Sequence, residues 1–169
     1  MIFEIGDTPE PLPGAPFYSA QDYALGYRVE DPNEAARRRG SGGVTCLALN
    51  TVQIDLAIET RLCLWAWGYC PHTSWRRRTL NPPSATRGSL RVISSGSFVV
   101  GVSIPIGPSE WRRFFDPDKG WLCLAPDDDL VDGETVEFAH DTIAVVHPNE
   151  CITLWVRLSG GIQPPKIPA

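Results

Sequence analysis

A long run of alternating apolar and polar side chains constrains the fold of this chain more than any other sequence feature. Between Val52 and Ala66 the even-numbered positions are apolar except for Thr60, and four of the odd-numbered positions are polar or charged. A period of two is typical of a β-strand with one buried face. A single strand over 52–66 would be about 50 Å long, which is unusual. We therefore predict two strands that meet near Glu59-Thr60, or one strand with a sharp bend there.

Shorter β patterns follow along the rest of the chain. The predicted strands are 44–50, 89–93, 97–106, 121–125, 135–138, 142–147 and 151–158. In 97–106 five apolar side chains are expected to line one face, namely Phe98, Val100, Val102, Ile104 and Ile106. One helix is predicted, because Asp31-Pro32-Asn33-Glu34 combines an N-cap aspartate with a proline at the first helical position. That helix should end at Gly40.

Glycine and proline punctuate the sequence, with 15 and 16 residues respectively. This frequency suits many short strands joined by turns and excludes a helical bundle. Long loops at 69–88, 107–120 and 126–134 favour a sandwich over a tight barrel. We therefore predict an all-β fold, an antiparallel eight-stranded jelly-roll β-sandwich with one short helix.

A single domain is predicted over residues 1–169, and no internal repeat is evident. Residues 1–16 should form a strand followed by a proline-rich segment, and 159–169 an extended C-terminal tail. No run of about 18 apolar residues is present, so we expect no membrane-spanning segment and no membrane partner. Residues 1–7 lack the basic start and apolar stretch of a secretory signal.

Charge is unevenly spread along the sequence, although the net charge is only −5. Residues 37–113 are strongly basic through arginine, whereas 1–34 and 114–169 are acidic. A basic middle between acidic ends predicts a partner for the middle, either nucleic acid or the acidic part of another copy. The alternative is ordinary surface charge that mixes once the chain folds.

Arginine clusters beside tryptophan are the candidate contact residues. Arginine forks pair with phosphates, and indoles stack on bases or on guanidinium groups. The clusters are equally suited to salt bridges with an acidic run of a neighbouring copy. The candidates for RNA contact or for a subunit interface are Arg37, Arg38, Arg39, Arg76, Arg77, Arg78, Arg112 and Arg113, with Trp75 and Trp111 beside them and Asp127, Asp128 and Asp129 as the acidic run.

Three further tryptophans are interface candidates. Trp65, Trp67 and Trp155 fall at positions predicted to point away from the core. Indoles on the outside of a sheet are enriched at protein interfaces. The alternative is a sheet that the chain itself covers on both faces.

A weaker alternative is a zinc site. Cys70, His72, His147 and Cys151 could supply two thiolates and two imidazoles, although their spacing matches no common zinc finger. No serine elbow or glycine-rich phosphate loop accompanies the histidines. We therefore predict no cofactor and no enzymatic activity.

Five passages carry a resemblance to a known family. They are 44–50, 61–67 with the following Gly68-Tyr69-Cys70-Pro71, 97–106 with Gly107-Pro108-Ser109, 120–124, and 151–158 before the proline-rich tail. Their order resembles the strands of jelly-roll coat proteins of picorna-like viruses, meaning picornaviruses and plant secoviruses. Residues 1–7 would be an early strand of that fold.

The resemblance implies a structural role in a virion. Many copies would close an icosahedral shell beside other jelly-roll coat proteins, with possible contact to genomic RNA, after synthesis in the host cytoplasm. It also implies that the loops at 35–43, 70–88 and 126–134 share one end. The arginines at 37–39 and 76–78 would then meet the aspartates at 127–129 there.

Two function classes stand beside this one. A small cytoplasmic β-barrel enzyme would depend on metal held by the cysteines and histidines named above. A single-stranded nucleic-acid-binding module would use the arginines and indoles, with an affinity that falls steeply with salt.

Overall fold

The computed structural model describes residues 1–94, 96–148 and 152–158, and its regular structure is almost entirely β-strand. One helix, α1, covers Pro32–Arg39, and a 3-10 turn covers His72–Ser74. The strands of the described residues are β1 (Phe3–Gly6), β2 (Gly14–Ser19), β3 (Ala24–Val29), β4 (Val44–Leu49), β5 (Val52–Ala57), β6 (Cys63–Tyr69), β7 (Arg76–Arg77), β8 (Thr86–Arg87), β9 (Ser89–Val92), β10 (Ser103–Pro105), β11 (Arg112–Asp116), β12 (Trp121–Ala125), β13 (Glu134–Ala139), β14 (Thr142–Val146) and β15 (Ile152–Arg157).

Two large sheets pack face to face around one apolar core. The six-stranded sheet has the order β10-β4-β5-β6-β3-β2, and the seven-stranded sheet has the order β7-β11-β12-β15-β14-β13-β8. Leu47 and Ile54 of the first sheet lie in one buried cluster with Phe115, Leu124 and Leu154 of the second. Strands β1 and β9 form a separate antiparallel pair. The predicted all-β sandwich is confirmed.

The eight-stranded jelly roll is not confirmed. In a jelly roll two Greek keys are shared between two sheets. Here each large sheet takes its five main strands from one continuous part of the chain, β2 to β6 or β11 to β15. The last described strand, β15, lies between β12 and β14.

The two large sheets repeat one arrangement of strands. In each, a hairpin (β2-β3 or β11-β12) precedes a three-stranded meander (β4-β5-β6 or β13-β14-β15). The second hairpin strand then pairs with the last meander strand, with Leu25 opposite Gly68 in one sheet and Leu122 opposite Val156 in the other. Because the registers also correspond, the two sheets form a structural repeat, although no internal repeat is evident in the sequence.

The alternating run at 52–66 forms two strands, as the first of our alternatives predicted. Strands β5 and β6 pair antiparallel, with Val52 opposite Gly68 and Leu56 opposite Cys63. The register shifts between Ile54 and Leu56, and Arg61 takes a left-handed conformation with φ of 61° in the turn. The turn centres near the predicted Glu59-Thr60.

The predicted helix start is confirmed. The Asp31 carboxylate accepts a hydrogen bond from the backbone N–H of Asn33 at 2.9 Å, and Pro32 is the first helical residue. Gly40 ends the helix with φ of 68°. Among the helix residues only Ala35 is buried, so α1 lies on the surface.

The predicted strand at 97–106 is wrong over its first half. Only Ser103–Pro105 forms a strand, which pairs parallel with β4. The preceding residues form a loop that turns at Gly101, with φ of 74°. The Val102 carbonyl there accepts hydrogen bonds from the Thr45 hydroxyl and the Cys46 backbone N–H, so this loop follows the edge of β4.

Three hairpin strands were not predicted, namely β2, β3 and β11, and the last of these shows that the predicted long loop at 107–120 is wrong over Arg112–Asp116. Strand β2 begins inside the proline-rich segment and forms an edge of the six-stranded sheet beside β3. The edge position explains how Pro16 is tolerated, since an edge strand leaves half of its backbone groups outside the ladder. In the part of the chain that the structure describes, no helix has the length and apolar character to cross a membrane.

Candidate interaction surface

The outer face of the six-stranded sheet carries a row of aromatic side chains, which we call the aromatic row: Phe17, Trp67 and Tyr69. Phe17 lies opposite Gly26, and the pairing of Leu25 with Gly68 sets Gly26 next to Trp67. Phe17 is 37% exposed and Trp67 is 39% exposed, whereas Tyr69 is more exposed than either. These are large apolar side chains left in contact with water.

Gly26 lets the Phe17 ring lie across the sheet. A Cβ atom at Gly26 would come within 2.3 Å of the Phe17 ring. No side chain larger than hydrogen fits beneath the ring without moving it. The Arg28 guanidinium lies 5.8 Å from the ring centroid, which adds a cation to this edge of the aromatic row.

A buried carboxylate fixes the indole of Trp67. The Trp67 Nε1–H donates to Asp55 Oδ1 at 2.6 Å, and the Cys46 thiol donates to the same oxygen at 3.4 Å. Burial and the Asp55 carboxylate raise the pKa of the Cys46 thiol to about 11, so it stays protonated and remains a donor at neutral pH. The hydrogen bond to Asp55 therefore fixes the orientation of the partly exposed Trp67 ring.

The outer face of the seven-stranded sheet is covered by the chain itself. Phe114, Cys123 and Trp155 form a buried cluster there with Leu80, against which Leu130 also packs. The covering segment is anchored, because the Leu80 backbone N–H donates to Asp116 Oδ2 at 2.8 Å and Lys119 Nζ donates to the Leu80 carbonyl. The hydrogen bond from the Leu80 backbone is the main cause that lowers the pKa of Asp116.

The predicted outward position of Trp155 is right, but its predicted exposure is wrong. Trp155 is only 4% exposed because Leu80 and neighbouring loop residues cover it. Trp65 is half-buried, with its ring stacked on Tyr27 at 6.3 Å. Of the three tryptophans predicted to point outward, Trp67 is the one that is exposed.

Exposed valines extend the apolar surface at one edge of the same sheet. Val99, Val100 and Val102 are all exposed. The Gly101 backbone N–H donates to the Val44 carbonyl, which places this segment beside β4. We call residues 99–102 the valine loop.

Two of the predicted arginine clusters meet the predicted acidic run. Arg76 Nη1 lies 2.9 Å from Asp128 Oδ1, and Arg112 Nε lies 3.3 Å from the same oxygen. Arg78 donates to the Asp128 carbonyl at 3.0 Å. These salt bridges form within one chain, so Asp128 already offsets part of the charge that an RNA phosphate would meet. Arg77 beside them is exposed.

The other arginines have local roles. Arg37 and Arg38 bind Glu34 on α1 at 2.6 and 2.7 Å, and Arg39 lies over the Trp65 ring. Arg113 donates to the hydroxyls of Ser74 and Thr51. Among the described residues, no hydrogen bond or ion pair joins 37–39 to the aspartates at 127–129, so the expected three-way meeting is seen only for the clusters at 76–78 and 127–129.

Trp75 and Trp111 do not stand beside the arginines as stacking platforms. Both are buried. The Trp75 ring packs between Tyr18, at 4.7 Å, and Phe115, at 4.9 Å between centroids. The nucleic-acid interpretation uses indoles beside the arginines as stacking surfaces, and these two indoles instead lie in the core.

The residues of the zinc alternative have other partners where they are described. Cys70 is fully buried, and burial raises the pKa of its thiol. His72 lies against Tyr18, whereas His147 Nε2 lies 2.8 Å from Thr153 Oγ1. Cys151 lies outside the described residues. Within the described ranges, no three His, Cys, Asp or Glu side chains come together in a way that could hold a metal ion.

Sequence reasoning could not find the aromatic row as a unit. Phe17 and Gly26 lie in the unpredicted β2-β3 hairpin, and Trp67 is the one member of the row that the sequence predicts to point outward. Comparison of the chain with protein-family models, with curated proteins and with solved structures gives no match.

Proposed function

We propose that this chain is a structural subunit that assembles with further copies of itself through the outer face of its six-stranded sheet. The observation that carries the proposal is the contrast between two equivalent tryptophans. Trp155 lies under a segment of its own chain, whereas Trp67, at the corresponding position of the other sheet, lies partly in water. In the seven-stranded sheet an apolar segment of the chain covers this position, and we expect a second copy to supply the corresponding cover over Trp67.

The hydrophobic effect supplies the driving force. Each 100 Å² of apolar surface removed from water contributes about 2.5 kcal/mol. The aromatic row and the valine loop expose six large apolar side chains on one sheet and its edge. Large apolar side chains that stay exposed on one sheet and its edge mark a candidate interaction surface. A specific interface needs about 800 Å² from each partner, so polar residues around the patch must also take part.

A second copy is the partner that this surface fits. A two-fold axis sets the same patch of both subunits against itself, so the valine loop of one copy can cover the aromatic row of the other. The proposed contact would resemble the cover of Trp155, where the aliphatic side chain of Leu80 packs in the same cluster as the indole. The Arg28 side chain at the rim stays accessible to water or to an acidic neighbour.

A virion coat is the assembly that the family resemblance implies. What supports it here is a β-sandwich with an uncovered apolar face, a shape suited to side-by-side packing in a shell. The proposal includes a jelly-roll connectivity, but it does not rely on that connectivity for support. RNA contact would fall to exposed arginines such as Arg77, for which no salt bridge is seen within the described ranges.

The test measures assembly and compares two matched valine variants. Val100 is 63% exposed in the valine loop, and Val131 is 61% exposed in a loop outside the proposed interface. We expect the wild-type chain to self-associate in sedimentation velocity as its concentration rises. Val100→Lys should shift it toward the monomer, whereas Val131→Lys should behave as wild type. Trp67→Arg, which keeps a donor for Asp55, should weaken association as Val100→Lys does.

Electron microscopy of the wild-type chain, alone and co-expressed with partner coat chains, tests the shell itself. Closed particles would support the coat-protein proposal, and their ultraviolet spectrum would show whether nucleic acid is inside. A chain that stays monomeric up to about 1 mM would overturn self-assembly, since even a contact of about 4 kcal/mol populates a dimer there. Equal effects of the two valine variants would overturn the choice of face.

A further inference from the structure

Strand β1 has one paired edge and one open edge. Its partner is β9, in an antiparallel ladder, and the Ile93 backbone N–H donates to the Ile2 carbonyl at its start. Because hydrogen-bonded pairs alternate along such a ladder, Glu4 bonds to β9, whereas the backbone groups of Phe3 and Ile5 point away from it. Within the described ranges, no backbone hydrogen bond reaches Phe3 or Ile5 from another segment. The outer edge of β1 therefore offers N–H and carbonyl groups to a further strand.

The other edges of the described sheets are blunted or occupied. Pro16 of β2 and Pro105 of β10 lie in the two edge strands of the six-stranded sheet, and proline lacks the N–H that a further strand would need. The edge strands of the seven-stranded sheet, β7 and β8, have two residues each. The far side of β9 is occupied, because the Val92 N–H donates to the Arg61 carbonyl. Proline and short length both protect a strand edge from pairing, and β1 contains no proline.

We infer that a second copy of this chain pairs with the open edge, β1 against β1. Two identical strands that run antiparallel about a two-fold axis form a self-complementary contact. An axis at Glu4 sets Phe3 of each copy opposite Ile5 of the other, and each such pair exchanges two hydrogen bonds. Phe3 is buried in the core and Ile5 packs against it, so the pairing also brings apolar side chains of the two copies side by side.

The side chains on the solvent face fit the same register. Glu4 is exposed and lies opposite Arg91 of β9 within its own copy. In the paired form the two Glu4 carboxylates are neighbours, and an Arg91 side chain flanks each of them. Cross-strand pairs of opposite charge offset the repulsion between the carboxylates. Ile2, which is 45% exposed, lies opposite Gly6 of the second copy and covers it.

This contact goes beyond the interface of the proposed function. A two-fold contact by itself stops at a dimer, so an assembly that grows needs a second contact about a different axis. The aromatic row and the valine loop supply the first contact, and the β1 edge supplies the second. The β1 contact uses other residues, so it does not depend on the first.

The experiment links the two strands through engineered cysteines in the full chain. In the inferred register the two copies of position 4 form a non-hydrogen-bonded pair with Cα atoms about 4.5 Å apart, which permits a disulfide. The two copies of position 2 lie about 14 Å apart, which is too far. Under mild oxidation, Glu4→Cys should form a covalent dimer at least about tenfold faster than the double variant Ile2→Cys with Glu4→Gln, which has the same net charge.

Peptide mass mapping identifies the linked residues, and the wild-type chain, with its five native cysteines, supplies the background rate. Positions 2 and 4 are both exposed, and thermal melting checks that the variants fold. The link through position 4 should persist when Val100→Lys is added, so the β1 contact and the proposed function can fail separately. Equal rates for the two cysteine variants would overturn the β1 contact. So would a dimer linked only through native cysteines, or loss of the link on addition of Val100→Lys.

Discussion

Trp67 and Trp155 occupy equivalent positions in the two sheets, one exposed and one buried. Trp67 faces Gln53 across β5 and β6, and Trp155 faces Ile143 across β14 and β15. The residue types of these cross-strand partners match their surroundings. The amide of Gln53 lies on the solvent-exposed face, and the apolar Ile143 lies on the covered face. The two sheets thus share a strand order, but the outer face is covered by the chain at Trp155 and partly exposed at Trp67.

The cover of Trp155 should be a large part of the stability of the seven-stranded sheet. Leu80 is almost completely buried against that face. Leu80→Ala should lower the free energy of unfolding by about 2–5 kcal/mol, because it leaves a cavity. Tryptophan fluorescence should also shift to the red as Trp155 gains water. Val131→Ala, at an exposed position of the neighbouring loop, is the control and should change stability by less than about 0.5 kcal/mol.

Asp116 anchors the covering segment, and this should make stability depend on pH. Its pKa is lowered mainly by the Leu80 backbone N–H, then by those of Lys119 and Asp118 against the opposing effect of burial. A carboxyl with a lowered folded-state pKa stabilises the fold above its unfolded pKa, and the stabilisation is lost as pH falls through the folded value. Urea unfolding should therefore show a loss of stability between about pH 5 and pH 2 that shrinks in Asp116→Ala. Asp118→Ala, which leaves that carboxylate in place, should keep the full pH dependence.

Asp55 should control the reactivity of the Cys46 thiol. The pKa of Cys46 is about 11, raised first by burial and then by the Asp55 carboxylate. Asp55→Asn removes the negative charge, so the pKa of Cys46 should fall. For each unit that it falls, the thiolate fraction at about pH 9 rises about tenfold. Alkylation at Cys46, followed by peptide mass mapping, should be correspondingly faster, and an unchanged rate would contradict the assigned contact.

Local signals were the part of this fold that the sequence could predict. The helix start at Asp31 and Pro32 rests on contacts within a few residues, and the alternation at 52–66 rests on one exposed and one buried face. In both cases the signal lies in the same residues that form the structural element. The two strands β5 and β6 follow, because a run too long for one strand must turn.

Contacts between distant segments were the part that the sequence could not predict. Alternation places Trp155 on an outer face but does not tell whether water or Leu80 lies above it. The apolar spacing at 97–106 indicated a strand, yet Gly101 turns the chain before Ser103. The sequence does not indicate the structural repeat, because equivalent positions in the two sheets carry different residue types. Gln53 and Ile143 are one such pair.

Phe17 and Gly26 should show strong energetic coupling. A methyl group at position 26 would come within 2.3 Å of the Phe17 ring, so Gly26→Ala must displace that ring or the backbone. Overpacking of this kind costs about 1–3 kcal/mol. Phe17→Ala removes the obstacle, so the double variant should be less destabilised than the two single effects combined. Chemical denaturation of the four species completes the cycle, and strict additivity would show that the ring does not lie over Gly26. Because Phe17 belongs to the aromatic row, Gly26→Ala should also weaken self-association. An unchanged association would indicate that the aromatic row is exposed but is not part of the interface.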